Sequence, residues 1–260
     1  RLPVGYFRTI NDRRFSWQFP TEPQPQTGDR GIVWPRGRVL GGSSASAGSK
    51  AEVEGIVREY ILAHPEILPE AMENLRKRET GKQLGAVGGK LEVAFPGAVM
   101  GNPNGTMVLV EFTDFACGYC RASVPEVDAL IAANPDLKVV VRELPIIAPT
   151  SADAARWGLA AAEQGKYPAF HKAMFAAGRT DAGSIESAAK ASGLDLDRAR
   201  KFIADPRVDA ELKNNIELAR QLGIDGTPSW VVGDQLLAGA VGRDELGKAI
   251  KAARSGGGNR

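Results

Sequence analysis

The chain has 260 residues, a formal net charge of +2, 43% hydrophobic and 25% charged residues. That balance is globular, with enough length to bury a core without disulfide staples, and so small a charge excludes nucleic acid or an acidic membrane as the main partner. No apolar run reaches membrane-spanning length, and two cysteines (Cys117, Cys120) with two histidines (His64, His171) exclude a four-ligand Cys/His zinc site unless carboxylates or a second chain contribute.

Residues 1–46 hold seven arginines against Asp12, Glu22 and Asp29, together with Pro20, Pro23, Pro25 and Pro35. With few clustered aliphatics, they read as irregular or disordered chain. Their positive residues are not followed by the apolar stretch and small-residue cleavage site of a signal peptide. Gly41–Ser49 reads as a flexible linker, so residues 1–50 form a segment without its own core.

From Ala51 the texture is helical. Val53, Ile56, Val57, Tyr60 and Ile61 recur at helical spacing, and Pro65 can open a second stretch. Ile67, Leu68, Ala71, Met72 and Leu75 continue an apolar face to about Arg78, and Gly81, Gly85, Gly88 and Gly89 are expected to end it. Residues 51–90 are therefore a helical extension ahead of a domain over 91–254. His64, before Pro65, reads as a turn residue or helix cap.

Met107–Phe112 follows the turn-like Asn102–Gly105 and suits a central strand covered on both faces. Residues 118–133 are helix-compatible, and Lys138–Leu144 is a second strand. An Ala-rich region, 151–222, reads as several helices with breaks near Gly165, Gly178, Gly193 and Pro206. Ser229–Val232 and Gln235–Ala238 form a hairpin around Gly233–Asp234, and Arg243–Arg254 a final helix. The pattern is α/β with a helical insertion. His171 falls on an insertion helix as a surface or satisfied core residue.

Cys117–Gly118–Tyr119–Cys120 directly follows the apolar strand and opens a helix. In that context C-x-x-C reads as a redox pair. A helix N-terminus offers unpaired N–H groups and the positive dipole end, which favour a thiolate on Cys117 and make it the nucleophile. Cys120, one turn in, is the more buried, resolving thiol. Gly118 and Tyr119 shape the backbone and field around Cys117 and so help set the redox poise. The alternatives are half a zinc site, for which no second C-x-x-C or H-x-x-x-H exists, or two inert buried thiols.

Phe112–Thr113–Asp114–Phe115–Ala116–Cys117–Gly118–Tyr119–Cys120 resembles the active site of DsbA-like thiol–disulfide oxidoreductases of the thioredoxin superfamily. Leu144–Pro145–Ile146–Ile147, Ser151 and Ala154–Ala155 resemble the following strand end and first insertion helix, and Gly226–Thr227–Pro228–Ser229 the cis-proline loop. The resemblance spans about Ala51 to Arg254. It implies a thioredoxin-like α/β fold with an inserted helical domain, and a cis Thr227–Pro228 bond that sets residue 227 against Cys117. Backbone there would pair with an extended substrate chain, and Thr227 and Pro228 would join Gly118 and Tyr119 in binding substrate. It also implies that Glu111, six residues before Cys117, is a buried acid serving proton transfer at Cys120; the other reading takes Glu111 to solvent at the strand edge.

Gly31–Ala45 resembles a signature stretch of the glucose–methanol–choline flavin oxidoreductases. The nucleotide-binding G-x-G-x-x-G and the βαβ core that would complete a flavin site are absent, so this fragment implies no flavin function. No organic cofactor or metal is expected; the redox centre is the Cys117–Cys120 pair. The leading expectation is an oxidase that introduces disulfides into protein or peptide substrates and is regenerated by a redox partner protein. Two others stand beside it: an isomerase or reductase assembled as a homo-oligomer through residues 51–78, and a non-catalytic binding module. An oxidase implies a periplasmic or otherwise extracytoplasmic location, inferred from the resemblance since no export signal is present.

Overall fold

A computed structural model describes residues 49–256. The irregular and flavoenzyme-like stretches expected over residues 1–48 lie outside the described residues. The chain divides into two units, Arg1–Glu54 and Gly55–Arg260. Within the first, residues 49–54 open helix α1 (Lys50–Ala63) with a reciprocal cap. The Ser49 N–H donates to Glu52 Oε2 (2.6 Å) and the Glu52 N–H to Ser49 Oγ (3.3 Å), a pairing that satisfies two first-turn donors.

In the second unit, His64 lies in the turn between α1 and α2 (Ile67–Val87), its ring 4.5 Å from that of Tyr60. The helix does not stop at Gly81 or Gly85 as expected. An interior glycine costs only about 1 kcal/mol, and burial of Leu84 and Val87 outweighs it. Gly88 ends the helix, where φ of +56° is needed and its N–H returns to the Leu84 carbonyl. A short 3-10 turn, Gly88–Leu91, follows.

Five strands form one sheet in the order β1–β3–β2–β4–β5: β1 (Val99–Gly101), β2 (Met107–Thr113), β3 (Leu137–Glu143), β4 (Ser229–Val232) and β5 (Gln235–Ala238). β2 and β3 are parallel, joined by α3 (Gly118–Ala133), and the other pairings are antiparallel. The edge strand β1 was not expected, because three residues ending at Gly101 carry no readable alternation. Between β3 and β4 run α4 (Ser151–Glu163), α5 (Tyr167–Ala177), α6 (Ala182–Ala191), α7 (Leu196–Phe202) and α8 (Pro206–Gln221). Their breaks fall where glycines and Pro206 place them, and Asp181, Asp195 and Asp205 cap the last three by accepting first-turn N–H groups. α9 (Gly242–Gly256) closes the chain.

Alternation along β2 and β3 sorts side chains into two cores. Leu109, Val139 and Val141 pack with α3, α9 and the insertion. Val110, Phe112 and Val140 pack with the end of α2 and with α8. The helical extension thus ends inside the domain. Upstream, Ile56, Val57, Tyr60, Leu68, Met72 and Leu75 are exposed. No described helix is long and apolar enough to cross a membrane.

Candidate active site

β2 delivers the chain to the front of α3. Cys117 is the N-cap of that helix, in extended conformation, and its sulfur accepts the Cys120 N–H at 3.3 Å. The cap position thus directs an otherwise unpaired helix donor at the sulfur. On its other side the Cys117 thiol donates to the Thr227 carbonyl at 3.2 Å, and Thr227–Pro228 is cis. Both cysteines are free thiols. Cys117 is 5% exposed and Cys120 1%. Burial pushes the Cys120 thiol well above the usual cysteine range, opposed by the Thr227 hydroxyl, the Asp114 backbone and the Thr113 hydroxyl. Tyr119, between the cysteines, is 71% exposed, and Gly118 leaves room beside the Arg121 guanidinium.

Asp114, within the motif before Cys117, is the clamp of the site. It is buried. Its Oδ1 accepts the Ala116 N–H (2.8 Å), and its Oδ2 accepts those of Ile146 (2.8 Å) and Ile147 (2.9 Å). One carboxylate thus ties the loop leading to Cys117 to the loop after β3. Ile146 and Ile147 present half-exposed apolar side chains there.

Glu111 lies inside β2, paired with Val141 on one side and Trp230 on the other, not at a strand edge open to solvent. Burial pushes its carboxyl up to about 8, offset in part by the Thr113 hydroxyl. Glu111 Oε2, Thr113 Oγ1 and Thr227 Oγ1 are buried with no hydrogen-bond partner among the described residues. Thr113 therefore sits near both Glu111 and Cys120 without completing a bond to either in this geometry.

Glu143 and Tyr167 escaped sequence reasoning, and His171 lies in other surroundings than expected. Glu143 is buried and accepts from the Tyr167 hydroxyl at 2.7 Å. The available signal was parity, since Glu143 follows Val139 and Val141 on one face of a strand. His171 is neither a surface nor a satisfied residue. It is buried among Phe115, Tyr167 and Phe175, with Nε2 unpartnered, and burial holds its pKa down to about 4. Its isolated position in the sequence carried no signal of this. Beside α3 a groove of about 450 Å3 is lined by Ser123, Glu126, Val241 and Arg243, with Glu126 accepting the Arg243 N–H at 3.1 Å. A cavity of about 340 Å3 on the α2 face of the sheet holds none of these reactive groups. Among the described residues, no cluster of three or more His, Cys, Asp or Glu is placed to hold a metal.

Residues 108–251 match the DSBA-like thioredoxin domain. The chain belongs to the DSBA-like thioredoxin family. Residues 50–80 match the N-terminal domain of the copper resistance protein ScsC. A thioredoxin-like oxidoreductase from Silicibacter pomeroyi is 40% identical, with a TM-score of 0.58 covering 60% of this chain and 91% of that one. A linker-deletion variant of Proteus mirabilis ScsC is 30% identical, with a TM-score of 0.63 covering 82% of this chain and 99% of that one. Among curated proteins, a Na(+)/H(+) antiporter NhaA 1 of Salinispora arenicola is 29% identical over 161 residues, 61% of this chain. The chain spans about a quarter of that relative's length, 25%. A partial likeness, 42% over 60 residues, joins the chain to an oxygen-dependent choline dehydrogenase of Brucella anthropi, covering 11% of that protein. The family is one of thiol–disulfide oxidoreductases, and in this member the C-x-x-C stands at a strand–helix junction facing the cis-proline loop.

Proposed function

We propose that this DSBA-like protein exchanges disulfides with protein substrates in the oxidising direction, with Cys117 as nucleophile and Cys120 as resolving thiol. The observation that carries the reading is the Cys117 sulfur at the front of α3, taking the Cys120 N–H and facing the Thr227 carbonyl. In the oxidised enzyme a substrate thiolate attacks the Cys117 sulfur. The Cys117–Cys120 bond breaks, Cys120 leaves with the electron pair, and it takes a proton from the Glu111 carboxyl. A second substrate thiolate attacks the substrate sulfur of the mixed disulfide. Cys117 leaves as a thiolate, and two electrons have passed from substrate to enzyme. The Cys120 N–H aimed at the departing Cys117 sulfur supports this direction. A carboxyl held near 8 by burial exchanges protons in the neutral range. The backbone at Thr227 and the exposed Tyr119 are the surfaces we assign to the substrate chain. A redox partner protein restores the disulfide, and an extracytoplasmic compartment, such as the periplasm, keeps it.

The test is transfer of oxidising equivalents from the disulfide form to reduced, unfolded ribonuclease, alongside equilibration of the pair in glutathione buffers. Ribonuclease activity should return with matching reduction of the enzyme, and Cys117→Ser should abolish it. Transfer that survives Cys117→Ser would sink the proposal.

One observation favours a second reading, isomerase or reductase work by a homo-oligomer. The apolar stripe of Ile56, Val57, Tyr60, Leu68, Met72 and Leu75 is exposed within the stretch that matches the ScsC N-terminal domain. Light scattering that shows a multimer, together with activity on scrambled rather than reduced ribonuclease, would establish it; a monomer would remove it.

A further inference from the structure

Below the redox pair lies a second carboxylic acid that the exchange steps leave unused. Glu143 stands opposite Thr113 in the parallel register of β2 and β3, and Glu111 stands opposite Val141. Side chains two apart on a strand share a face. Glu111, Thr113 and Glu143 therefore share the face of Leu109, Val139 and Val141, the one that packs with Cys117 and Cys120. Glu111 and Glu143 are diagonal neighbours across adjacent strands, a spacing long side chains can bridge. Both are buried, and each has its Oε2 unpartnered.

The surroundings hold Glu143 without neutralising it. The Tyr167 hydroxyl donates to Oε1 at 2.7 Å. From α4 the wall is Gly158, where a Cβ would stand 2.9 Å from Glu143 Oε1 and 3.1 Å from Phe115 Cε2. The titratable groups that bear on the carboxyl are Asp114 and Glu111 from β2 and its following loop and Tyr167 from α5, with His171 stacked beside Tyr167. None of these is cationic at neutral pH, since burial keeps His171 neutral. Arg142, the one arginine or lysine among the buried described residues, points to the opposite core, against Leu91, Glu211 and Asn215. Burial raises both carboxyls, and the charges of Asp114 and Glu111 raise Glu143 further. Two carboxyls in a dry site with no cation do not both ionise readily; they lose their protons in two separated steps belonging to the pair.

We propose that Glu143, fixed by Tyr167, is a positioning residue that shares a proton reserve with Glu111 and so sets the pH range over which Cys120 can be deprotonated. This rests on the dithiol reading above. The step concerned is formation of the enzyme disulfide. Cys120 gives its proton to the Glu111 carboxylate, and its thiolate attacks the Cys117 sulfur of a mixed disulfide. The external thiol then leaves with the electron pair. Glu143 touches no reacting atom; it acts by deciding when Glu111 carries the charge that accepts the proton.

Stopped-flow reaction of the reduced protein with 5,5′-dithiobis(2-nitrobenzoate) separates the steps. Cys117 releases the first thionitrobenzoate, and attack by Cys120 the second. The second phase, followed from about pH 5 to 9, should show two inflections in the parent. Glu143→Gln should show one, about one pH unit below the parent's upper inflection, because a like charge is gone. Tyr167→Phe should move the upper inflection up, since ionised Glu143 loses its donor. Infrared difference spectra between neutral and alkaline pH give a readout independent of turnover: the protonated-carboxyl band should lose two buried groups in the parent and one in Glu143→Gln. A Glu143→Gln profile superimposable on the parent, or a band loss unchanged by that substitution, overturns the proposal. Should Glu143→Gln fail to fold, Tyr167→Phe decides: an unmoved upper inflection overturns it equally. A parent that releases no second thionitrobenzoate refutes the dithiol reading instead, and the infrared count then decides the coupling alone.

Discussion

Replacing Asp114 by alanine removes one carboxylate and orphans three backbone donors, those of Ala116, Ile146 and Ile147. A hydrogen bond to a charged group contributes about 1.5–3 kcal/mol, and a buried donor left unpaired costs about 1–3 kcal/mol. The Ile146 and Ile147 side chains are half exposed, so water can take up part of that loss. The low end then applies, roughly 1 kcal/mol for each bond, or about 3 kcal/mol in all. For a domain of this size that lowers Tm by about 6–12 °C. Function should suffer with stability, because the Cys117 N–H hangs on the Asp114 carbonyl at 2.9 Å and the loop facing it is unpinned. Asp114→Asn separates charge from shape. Its amide oxygen can serve only one loop, and its NH2 meets the donors of the other, so it should recover less than half of the loss. Urea unfolding of the parent and both variants measures the stability, and iodoacetamide trapping of Cys117 measures the loop. A change below about 1 kcal/mol in both variants, with trapping unaltered, would refute the clamp.

His171 contributes a pH slope. The unfolded imidazole binds a proton near 6.5 and the folded one only near 4, so the unfolded state binds more protons between those values. Stability is full above 6.5 and is lost as pH falls toward 4, by about 3 kcal/mol; His171→Leu should flatten that part of the urea-midpoint profile relative to the parent. Gly158→Ala drives a methyl against Glu143 and Phe115 and should destabilise by about 1–3 kcal/mol, read as a lower Tm. Arg142 joins Glu211 (2.8 Å) to the carbonyls of Leu91 (3.1 Å) and Val93 (2.5 Å). Arg142→Leu should cost about 1–3 kcal/mol by leaving the half-buried Glu211 carboxylate and the carbonyls of Leu91 and Val93 without their donor. Limited proteolysis should then cut the segment 88–95 faster, and lysine should rescue poorly because it lacks the planar fork.

Local chemistry made much of this molecule legible. Residues 118–133 form the helix, and 229–232 with 235–238 the hairpin, as their patterns require. The Ala-rich region breaks where glycine and proline stand. Each of these features depends on neighbours in the sequence: periodicity, caps and turn residues. The extension of α2 past Gly81 and Gly85 was not legible, because its reason is burial of Leu84 and Val87 against residues far along the chain. The strand β1 is three residues long and exists only as a partner of β3.

The placement of the C-x-x-C between an apolar strand and a helix was legible for the same local reason. Its surroundings were not. Asp114 clamps amides 32 and 33 residues away, and Tyr167 meets Glu143 across 24 residues. His171 draws its surroundings from Phe115 on another element. Which acids are dry, and which of them face one another, depends on strand register and on the helices laid over the sheet. By itself the sequence determined the elements and the strand–helix junction that carries the two cysteines. The tertiary structure alone decided the dielectric and the partners around those residues, because burial is a property of contacts between distant segments and no local pattern encodes it.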